Sequence, residues 1–593
     1  MRPPLIFITI LAVVLGIVSA VFPPLAVESD DAGIPDEMDE SAAFSGSSYS
    51  NILPGDYVGP ETCGGCHPTQ YSQWKEHPHH CMNQLPNLDS VMGDFQDARL
   101  TLPTGEIRFT AEEDDFWMTV EKQGSIYRRY LVTRTVGSRY MQFYIGKQIT
   151  GPEDEGHDIY REHMLPFSYW FKIKRWLPRQ YFDPDGAEQL KDGVPQCEAV
   201  DREPEIRTYG AVCMNCHNTF PYAYRIFQKK RAGFCDATIG AAVGPLSAAL
   251  APDVHVAPNV KAFEDLNDRL DPDKHLVTLG ISCESCHFGG REHAQHQKQI
   301  RFLPTSVYTQ LKPKDPSRPL INSRDNASTI LGICIQCHCG SGPAYPNGAG
   351  KVNSREGLDM RLGFCSSELS CVGCHEPHTA TPTPSGGADH PQHVQICSSC
   401  HTKYLDADAA LAHGGHPAAA GVSCLDCHMP RYTQGADERI RTHRICMPVE
   451  ESMVAVGSAN ACNLCHLDRS LRWTLTALEQ GWQRKITPNE RWPALEQLDE
   501  PLGTLWLHGK NTHMRLVATQ CYAASRHGQG KLPDIVRALN DSEPVNRVFA
   551  GFAVSRLLGQ ALDEPLKVDI TAPPAVRDRQ INAWLEQLKR ELD

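Results

Sequence analysis

The chain has 593 residues, of which 41% are hydrophobic and 22% are charged, and its formal net charge is -14 at pH 7. This composition is typical of a globular protein with more than one domain. Because Lys and Arg are not in excess, the composition excludes a nucleic-acid-binding surface and predicts docking partners that present basic patches.

The N-terminal residues 1–22 predict an export signal. An apolar run from Leu5 to Phe22 ends close after Val18-Ser19-Ala20, a small-residue pattern that favours cleavage after Ala20. The run is also long enough for an uncleaved anchor, so a membrane tether through residues 5–22 is the alternative. Residues 23–55 are acidic and rich in small residues, which predicts a disordered linker. Both alternatives predict a periplasmic or extracytoplasmic protein.

Eight copies of the motif C-x-x-C-H follow, and they account for 16 of the 23 cysteines. Five of the eight lie between Cys334 and His466, a segment too crowded for a conventional apolar core. The motif cysteines are Cys63 and Cys66, Cys213 and Cys216, Cys283 and Cys286, Cys334 and Cys337, Cys371 and Cys374, Cys397 and Cys400, Cys424 and Cys427, and Cys462 and Cys465. The motif histidines are His67, His217, His287, His338, His375, His401, His428 and His466.

The spacing of this motif has a chemical reason. Two thiols one helical turn apart add across the two vinyl groups of a haem, and the adjoining imidazole then faces the iron. Zinc knuckles also use C-x-x-C pairs, but zinc does not require a histidine directly after every pair. The motifs therefore predict eight covalently attached haems c, with the haems forming the core of an octahaem domain over residues 56–470.

The second axial ligand of each iron has to come from elsewhere in the chain. Of the 26 histidines, 18 lie outside the motifs. His378 follows His375 by only three residues and leaves the same side of the chain, so we expect it to reach a neighbouring iron. We expect His508, His513 and His527, in the C-terminal part, to be solvated surface residues. The spare histidines close to a motif are His77, His79, His80, His293, His296, His378, His390, His393, His413, His416 and His443.

A stretch without motifs separates His67 from Cys213. Short β-rich runs with turn-like breaks at Ala111–Asp115 and Gln123-Gly124 predict a small antiparallel insert at about residues 100–150. A basic cluster follows, formed by Lys172, Lys174, Arg175 and Arg179. It could neutralise haem propionates or attract an anion, but a solvated face is the favoured interpretation.

The C-terminal residues 471–593 change to helical periodicity. A loose repeat of 32 residues relates Met514–Ala518 to Asn546–Ala550, which predicts HEAT-like paired helices that dock on the haem domain or on a partner. The predicted helices are Leu471–Trp482, His513–Ser525, Leu532–Leu539, Val545–Leu558 and Val576–Leu592.

Seven cysteines lie outside the motifs: Cys81, Cys197, Cys235, Cys339, Cys365, Cys446 and Cys521. Because seven is odd, at least one is unpaired or bonded to another chain.

Several stretches resemble a known family. Y-V-G-P-E-T-C-G-G-C-H from Tyr57, C-E-S-C-H-F-G-G-R-E-H, S-C-L-D-C-H-M-P-R and A-N-A-C-N-L-C-H-L-D-R-S are similar to the multihaem cytochromes c associated with tetratricopeptide or HEAT repeats, which resemble the tetrahaem cytochromes of nitrifying bacteria. The resemblance implies a periplasmic haem array with His79, His293, His378, His416 and His443 as distal ligands. The chain departs from the pattern by crowding His77, His79, His80 and Cys81 near the first motif.

Together these observations predict a mostly α fold with an irregular haem-packed core, a small β-rich insert and a HEAT-like helical C-terminus. The favoured function is electron transfer through mostly bis-histidine haems, between a membrane donor and an extracytoplasmic acceptor. The alternative is an octahaem oxidoreductase with one open haem, acting on hydroxylamine, nitrite or tetrathionate. In that case the first or second haem is the candidate, served by Tyr140, Tyr144, His157, His163 and the basic cluster.

Overall fold

A computed structural model describes residues 49–152, 161–182, 189–191, 193–200, 207–226, 232–250, 270–340, 342–380 and 391–592. The predicted export signal and most of the predicted linker lie outside these ranges, as do His157 and His390. Within the described ranges no helix has the length and apolar character needed to cross a membrane.

An antiparallel sheet of nine described strands lies between the first and second motifs. The longer strands follow one another in chain order, and Asn83–Gln84 and His163–Met164 add to the sheet beside the two longest. At one of the tight turns both Gln123 and Gly124 have positive φ, the geometry of a two-residue hairpin whose twist matches that of the strands. The strands are Asn83–Gln84, Gln96–Leu102, Gly105–Glu112, Asp115–Lys122, Ser125–Val136, Met141–Thr150, His163–Met164, Phe167–Trp170 and Arg175–Pro178.

The predicted insert is therefore real but larger than expected, since it runs from Asn83 to Pro178 rather than over about residues 100–150. The additional strands Phe167–Trp170 and Arg175–Pro178 bring Trp176 onto the buried face, where its ring stacks on Phe109 with centroids 3.8 Å apart. The expectation of a mostly α fold therefore understates the β part of the molecule. The last two strands belong to the sheet because they cover this aromatic core.

Short elements carry the haem motifs, and few of them exceed two helical turns. The helices of this region are Pro60–Gly64, Pro68–Lys75, Tyr209–Val212, Met214–His217, Tyr222–Ile226, Val243–Ala249, Pro272–His275, Arg291–His296, Ala327–Cys334, Glu356–Arg361, Cys371–Cys374, Pro391–Cys400, Ala407–Gly414, Cys424–His428, Glu451–Val454 and Ala461–Cys465. Two-stranded pairings join Leu190–Lys191 to Val194–Pro195, Asn218–Thr219 to Thr278–Leu279, Ala237–Ala241 to Thr309–Pro313, and Arg431–Gln434 to Arg439–Arg441.

The C-terminal region is helical, and all five predicted helices are present. Its helices are Leu471–Trp482, Leu502–His508, Thr512–Ala523, Gly528–Arg537, Pro544–Leu558 and Pro574–Leu592. Asn511 caps the N-terminus of Thr512–Ala523 by accepting from the amide of Met514, and Gly559 ends Pro544–Leu558 in the left-handed conformation. Thr512–Ala523 packs against Pro544–Leu558, as neighbouring helices do in paired-helix repeats, while the HEAT assignment itself stays a prediction.

The helical region docks on the same chain. One apolar core joins Val517 and Phe549 of the helices to Trp170 of the sheet region and to Tyr345 and Tyr432 of the motif region. At this interface Arg547 lies 2.6 Å from Glu198, and both side chains are completely buried. Of the two predicted docking modes, the one on the haem domain is therefore present in the structure.

The same contacts correct the expectation for His513. It is not a solvated surface residue, because it is 6% exposed and its Nε2 donates to the carbonyl oxygen of Tyr432 over 3.1 Å. His508 and His527 are more accessible, with side chains 53% and 31% exposed.

The basic cluster also contacts other segments of the chain. Lys172 lies 3.2 Å from Asp437 in the motif region, and Lys174 lies 2.8 Å from Asp563 in the helical region. Both lysine side chains stay exposed, at 39% and 70%, so the solvated-face interpretation holds for them, and their ion pairs also link the regions.

Candidate haem sites

Each haem motif is built on one turn of helix. In seven motifs the amide of the histidine donates to the carbonyl of the first cysteine over 2.8–3.1 Å. The remaining motif, the seventh in chain order, forms the helix Cys424–His428. This i to i+4 turn puts both thiols on one side, as attachment to two vinyl groups requires. Local caps begin two of the turns: Asp426 accepts from the amide and the hydroxyl of Ser423, and Asn460 accepts from the amide of Asn463.

Five motif histidines face a second imidazole in a common geometry. The centroids of the two rings are 6.0–6.3 Å apart, and the angles between the ring planes run from 4° to 28°. The pairs are His67 with His293, His287 with His378, His375 with His443, His428 with His413, and His466 with His416.

This separation fits an iron between the two rings. A metal–imidazole bond is about 2.0 Å long and each ring centroid lies about 1 Å farther out, so two ligands on opposite sides of one metal place their centroids about 6 Å apart. Rings stacked directly on each other would be much closer, as Phe109 and Trp176 are at 3.8 Å. The donor set therefore fits a haem that carries one imidazole on each face.

In three of the ligand candidates, Nδ1 has a backbone carbonyl as its partner. Nδ1 of His293 lies 2.6 Å from the carbonyl of Lys298, Nδ1 of His416 lies 2.7 Å from that of Gly414, and Nδ1 of His428 lies 2.8 Å from that of Cys446. Because a carbonyl only accepts, each Nδ1 carries the proton and Nε2 remains free for a metal.

Two ligand candidates have a carboxylate instead of a carbonyl. Nδ1 of His338 lies 3.0 Å from Glu356, and Nδ1 of His378 lies 3.0 Å from Glu376. The Glu356 side chain is 24% exposed, whereas that of Glu376 is 57% exposed. The Glu356 carboxylate beside His338 is thus better shielded from water than the Glu376 carboxylate beside His378.

His79 lies close to the fourth motif. Burial first, and then the nearby His77 and His338, lower the pKa of His79 to about 3. An imidazole that stays neutral at physiological pH is ready to bind iron. Of the crowded residues beside the first motif, His80 packs on Trp74 with ring centroids 4.3 Å apart, and Nδ1 of His77 accepts from the amide of His79.

The structure brings together four of the five distal candidates with motif histidines, and it adds His413. The sequence shows His413 and His416 as neighbours, and the resemblance implied only His416. The helix Ala407–Gly414 ends at Gly415 in the left-handed conformation, and this reversal sends the two imidazoles to different motifs. The Gly414-Gly415 pair was the available sequence signal.

His375 and His378 serve two different pairs, although only two residues separate them. His375 faces His443, and His378 faces His287 of the third motif. His393 also approaches His375, but its Nε2 lies 3.1 Å from the carbonyl of Cys374 and its plane is tilted by 60°. His443 is therefore the better partner for the fifth motif.

Cysteines of different motifs touch one another. The thiol of Cys63 lies next to that of Cys283, Cys337 next to Cys216, and Cys334 next to Cys371. These contacts join the first motif to the third, the second to the fourth, and the fourth to the fifth. The thiols that would attach these neighbouring haems consequently lie side by side.

The remaining motifs continue as a row. Three further pairs of cysteines are close enough for one thiol, after burial, to raise the pKa of the other. They are Cys374 with Cys397, Cys397 with Cys424, and Cys462 with Cys427. The fifth to eighth motifs thus follow one another in space as they do along the chain.

The candidate residues for an open site are distributed over the sheet region. Tyr144 is fully buried and its hydroxyl accepts from the amide of Gly93, whereas Tyr140 is 37% exposed. His163 is buried, and its backbone forms an isolated antiparallel β-bridge with Thr208, shortly before the second motif. His157 lies outside the described residues.

All 23 cysteines are described, and no two of them form a disulfide. Burial raises the pKa of Cys235 and of Cys521 to about 11, so these two thiols are protonated and unreactive at neutral pH. Within the described ranges no group of three or more His, Cys, Asp or Glu side chains has the arrangement of a metal-ion site.

Comparison with known proteins agrees with this picture. Residues 411–488 match the cytochrome c552 family. The chain is 21% identical over 413 residues to the dissimilatory sulfite reductase MccA of Wolinella succinogenes, over 64% of this chain and 51% of that protein. It is 25% identical over 227 residues to the cytochrome c nitrite reductase subunit NrfA of Nitratidesulfovibrio vulgaris, over 35% of this chain and 36% of that protein.

The chain therefore spans about half the length of the first relative and about a third of the second. Among solved structures, the outer cell wall cytochrome OcwA aligns over 89% of this chain and 100% of that one, at 13% identity and a TM-score of 0.34. The present chain has repeated C-x-x-C-H motifs and paired imidazoles, and it matches a cytochrome family and curated haem proteins. These findings place it among the multihaem c-type cytochromes, with haem c as cofactor.

Proposed function

We propose that this chain is an octahaem electron-transfer protein in which most irons lie between two histidines. The observation that carries the proposal is the set of five imidazole pairs with centroids 6.0–6.3 Å apart. An iron with an imidazole on each face has no open position for a substrate, and it exchanges electrons with little change in structure.

The proposal includes a ligand for the fourth haem. His79 is half-buried and close enough to His338 for the two imidazoles to interact, and we assign it to the opposite face of that iron. Motif histidines and partners then account for six haems. His217 and His401 hold the remaining two from their motif side, and we propose that spare histidines outside these pairs cap both irons.

The contacts between motif cysteines define the electron path. We propose the order first, third, fourth, fifth, sixth, seventh and eighth haem, with the second haem beside the fourth. The step from the third to the fourth rests on Cys286 and Cys334, which lie within electrostatic reach. The fourth haem is then the junction of the array.

We further propose that the protein works outside the cytoplasm, where haem attachment takes place, between a membrane donor and an extracytoplasmic acceptor. The formal charge of -14 favours acceptors and donors with basic docking patches. The predicted kinship with nitrifier tetrahaem cytochromes belongs to this proposal too.

The count of haems is tested by the intact mass of the exported protein. We expect an increment of eight haems, one for each motif. A stable increment of seven or fewer would show that at least one motif does not attach haem.

Axial ligation is tested by carbon monoxide, which binds only to ferrous haems with an open position. We expect the wild-type protein to show no carbon monoxide shift. The His443→Ala variant should gain a shift that corresponds to one haem, because it opens the iron held by His375. The His508→Ala variant is the matched control, since His508 faces no motif histidine in the described part of the chain, and it should behave as the wild type.

The second candidate function is reduction of a small oxyanion of nitrogen or sulfur. It is favoured by the names of two relatives, a sulfite reductase and a nitrite reductase subunit. An enzyme of this class needs one accessible iron. A carbon monoxide shift for one haem in the wild-type protein would support this candidate and would contradict a purely electron-conducting array.

A further inference from the structure

We propose that Glu356 is a positioning residue that lowers the reduction potential of the haem of the fourth motif, and thereby makes that haem a thermodynamic barrier to electron flow at the junction of the array. This inference rests on the proposed electron path. It assigns to Glu356 a role that the C-x-x-C-H pattern does not contain.

The first support is a hydrogen bond to the ligand. Nδ1 of His338 donates to a carboxylate oxygen of Glu356 over 3.0 Å, and the other carboxylate oxygen accepts from the amide of Ser354 over 2.9 Å. The neighbouring amide of Gly357 donates to the carbonyl of His338 over 3.1 Å. These side-chain and backbone hydrogen bonds together fix the position of the imidazole relative to the carboxylate.

The second support is the chemistry of that bond. A carboxylate that accepts from Nδ1 draws the proton away from the ring, which makes the imidazole more basic and a stronger donor to the metal. A stronger, more negative ligand stabilises the ferric state over the ferrous state, so the potential of that haem falls.

The third support is the contrast with the other ligand candidates. His293, His416 and His428 donate to neutral carbonyls, which polarise an imidazole much less than a carboxylate does. His378 has a carboxylate partner, Glu376, but this side chain is 57% exposed and its charge is screened by water. Glu356, at 24% exposed, is the better shielded acceptor.

The location of Glu356 gives this effect a consequence for electron flow. The fourth motif touches the second through Cys337 and Cys216, and the fifth through Cys334 and Cys371. Glu356 also lies near His443, whose ring faces that of His375 in the fifth motif. A low potential at the junction therefore makes the fourth haem a barrier between the first three haems and the row of the last four.

The test is a potentiometric titration of the holoprotein, followed by visible spectroscopy. The Glu356→Gln variant keeps the shape and the hydrogen bond but removes the charge. We expect the midpoint potential of one haem component to rise by more than that of any other, because Glu356 is hydrogen-bonded to His338 and only near His443. The matched control is Glu376→Gln, which removes the charge from the exposed carboxylate and should leave the titration curve unchanged to within the resolution of that curve.

Unchanged potentials in Glu356→Gln protein with all its haems would overturn the inference. If this variant loses a haem, the shorter Glu356→Asp keeps the charge but withdraws it from Nδ1, and it should show a smaller rise in the same component. No rise in that variant would overturn the inference as well. A failure of the proposed function is recognised separately, because it appears as carbon monoxide binding in the wild-type protein.

Discussion

Two parts of this molecule achieve a stable structure in different ways. Across residues 391–423, which carry the sixth motif, no side chain is classed as buried. In the helix Thr512–Ala523, by contrast, ten of twelve residues are buried, among them Val517 and Ala518 with no exposed surface. The helical region is therefore part of an apolar core made of side chains, whereas the motif segment depends on the haems that it binds.

This contrast predicts its largest effect for the loss of a haem. The double variant Cys424→Ala/Cys427→Ala should lose one haem and at least about 3–5 kcal/mol of unfolding free energy, the loss expected when a large ring leaves a core. Intact mass and thermal unfolding measure the two effects. The control is Cys365→Ala, outside the motifs, which should keep all eight haems. Stability equal to that of the wild type in the double variant would mean that the haems are not the core.

The junction between the two regions predicts the next effect. Arg547→Met leaves the completely buried Glu198 without its cation, which typically costs about 3–5 kcal/mol. The expected result is earlier denaturant unfolding of the helical region. Arg472→Met is the control: its partner is Asp499 and its side chain is 57% exposed, so we expect denaturant unfolding close to that of the wild type.

The double variant Arg547→Met/Glu198→Gln sharpens this test. If the cost comes from an unpaired buried charge, removal of both charges should recover most of the lost stability. An Arg547→Met protein as stable as the wild type would show that the helical region is held by apolar contacts alone.

A smaller, pH-dependent effect is expected at His513. Burial lowers the pKa of His513 to about 4 from the ordinary value of 6.5, so the unfolded chain binds the proton first as the pH falls. Stability is therefore lost between pH 6.5 and 4, by about 3 kcal/mol from this group.

The His513→Gln variant removes this dependence, because its amide can still donate to the carbonyl of Tyr432 but does not titrate. The measurement is the free energy of unfolding of both proteins at several pH values, with the exposed His508→Gln as control. Parallel curves for the wild type and His513→Gln between pH 6.5 and 4 would refute the expectation.

The sequence predicts local features of this molecule well. Each motif specifies one helical turn, and the five C-terminal helices follow from the periodicity of their apolar residues. The hairpin at Gln123-Gly124 follows from turn chemistry. All of these are decided by residues within a few positions of one another.

Features that depend on distant residues were harder to predict. The strand pair around Trp176 joins the sheet because a stacked aromatic core needs covering, and no local pattern reveals this. His513 is buried because the helical region packs over Tyr432, a contact between residues 81 positions apart. The proposed partner of His428 depended on a chain reversal at Gly415, which sends the nearby His416 to another motif.

The central claim, that pairs of histidines hold the irons, is tested most directly by near-infrared magnetic circular dichroism of the ferric protein. The energy of the charge-transfer band identifies the two axial ligands, and its intensity counts the haems that have them. We expect bis-imidazole intensity equivalent to at least five haems, one for each observed pair of rings. Intensity equivalent to fewer than five, with the remainder high-spin, would contradict the account.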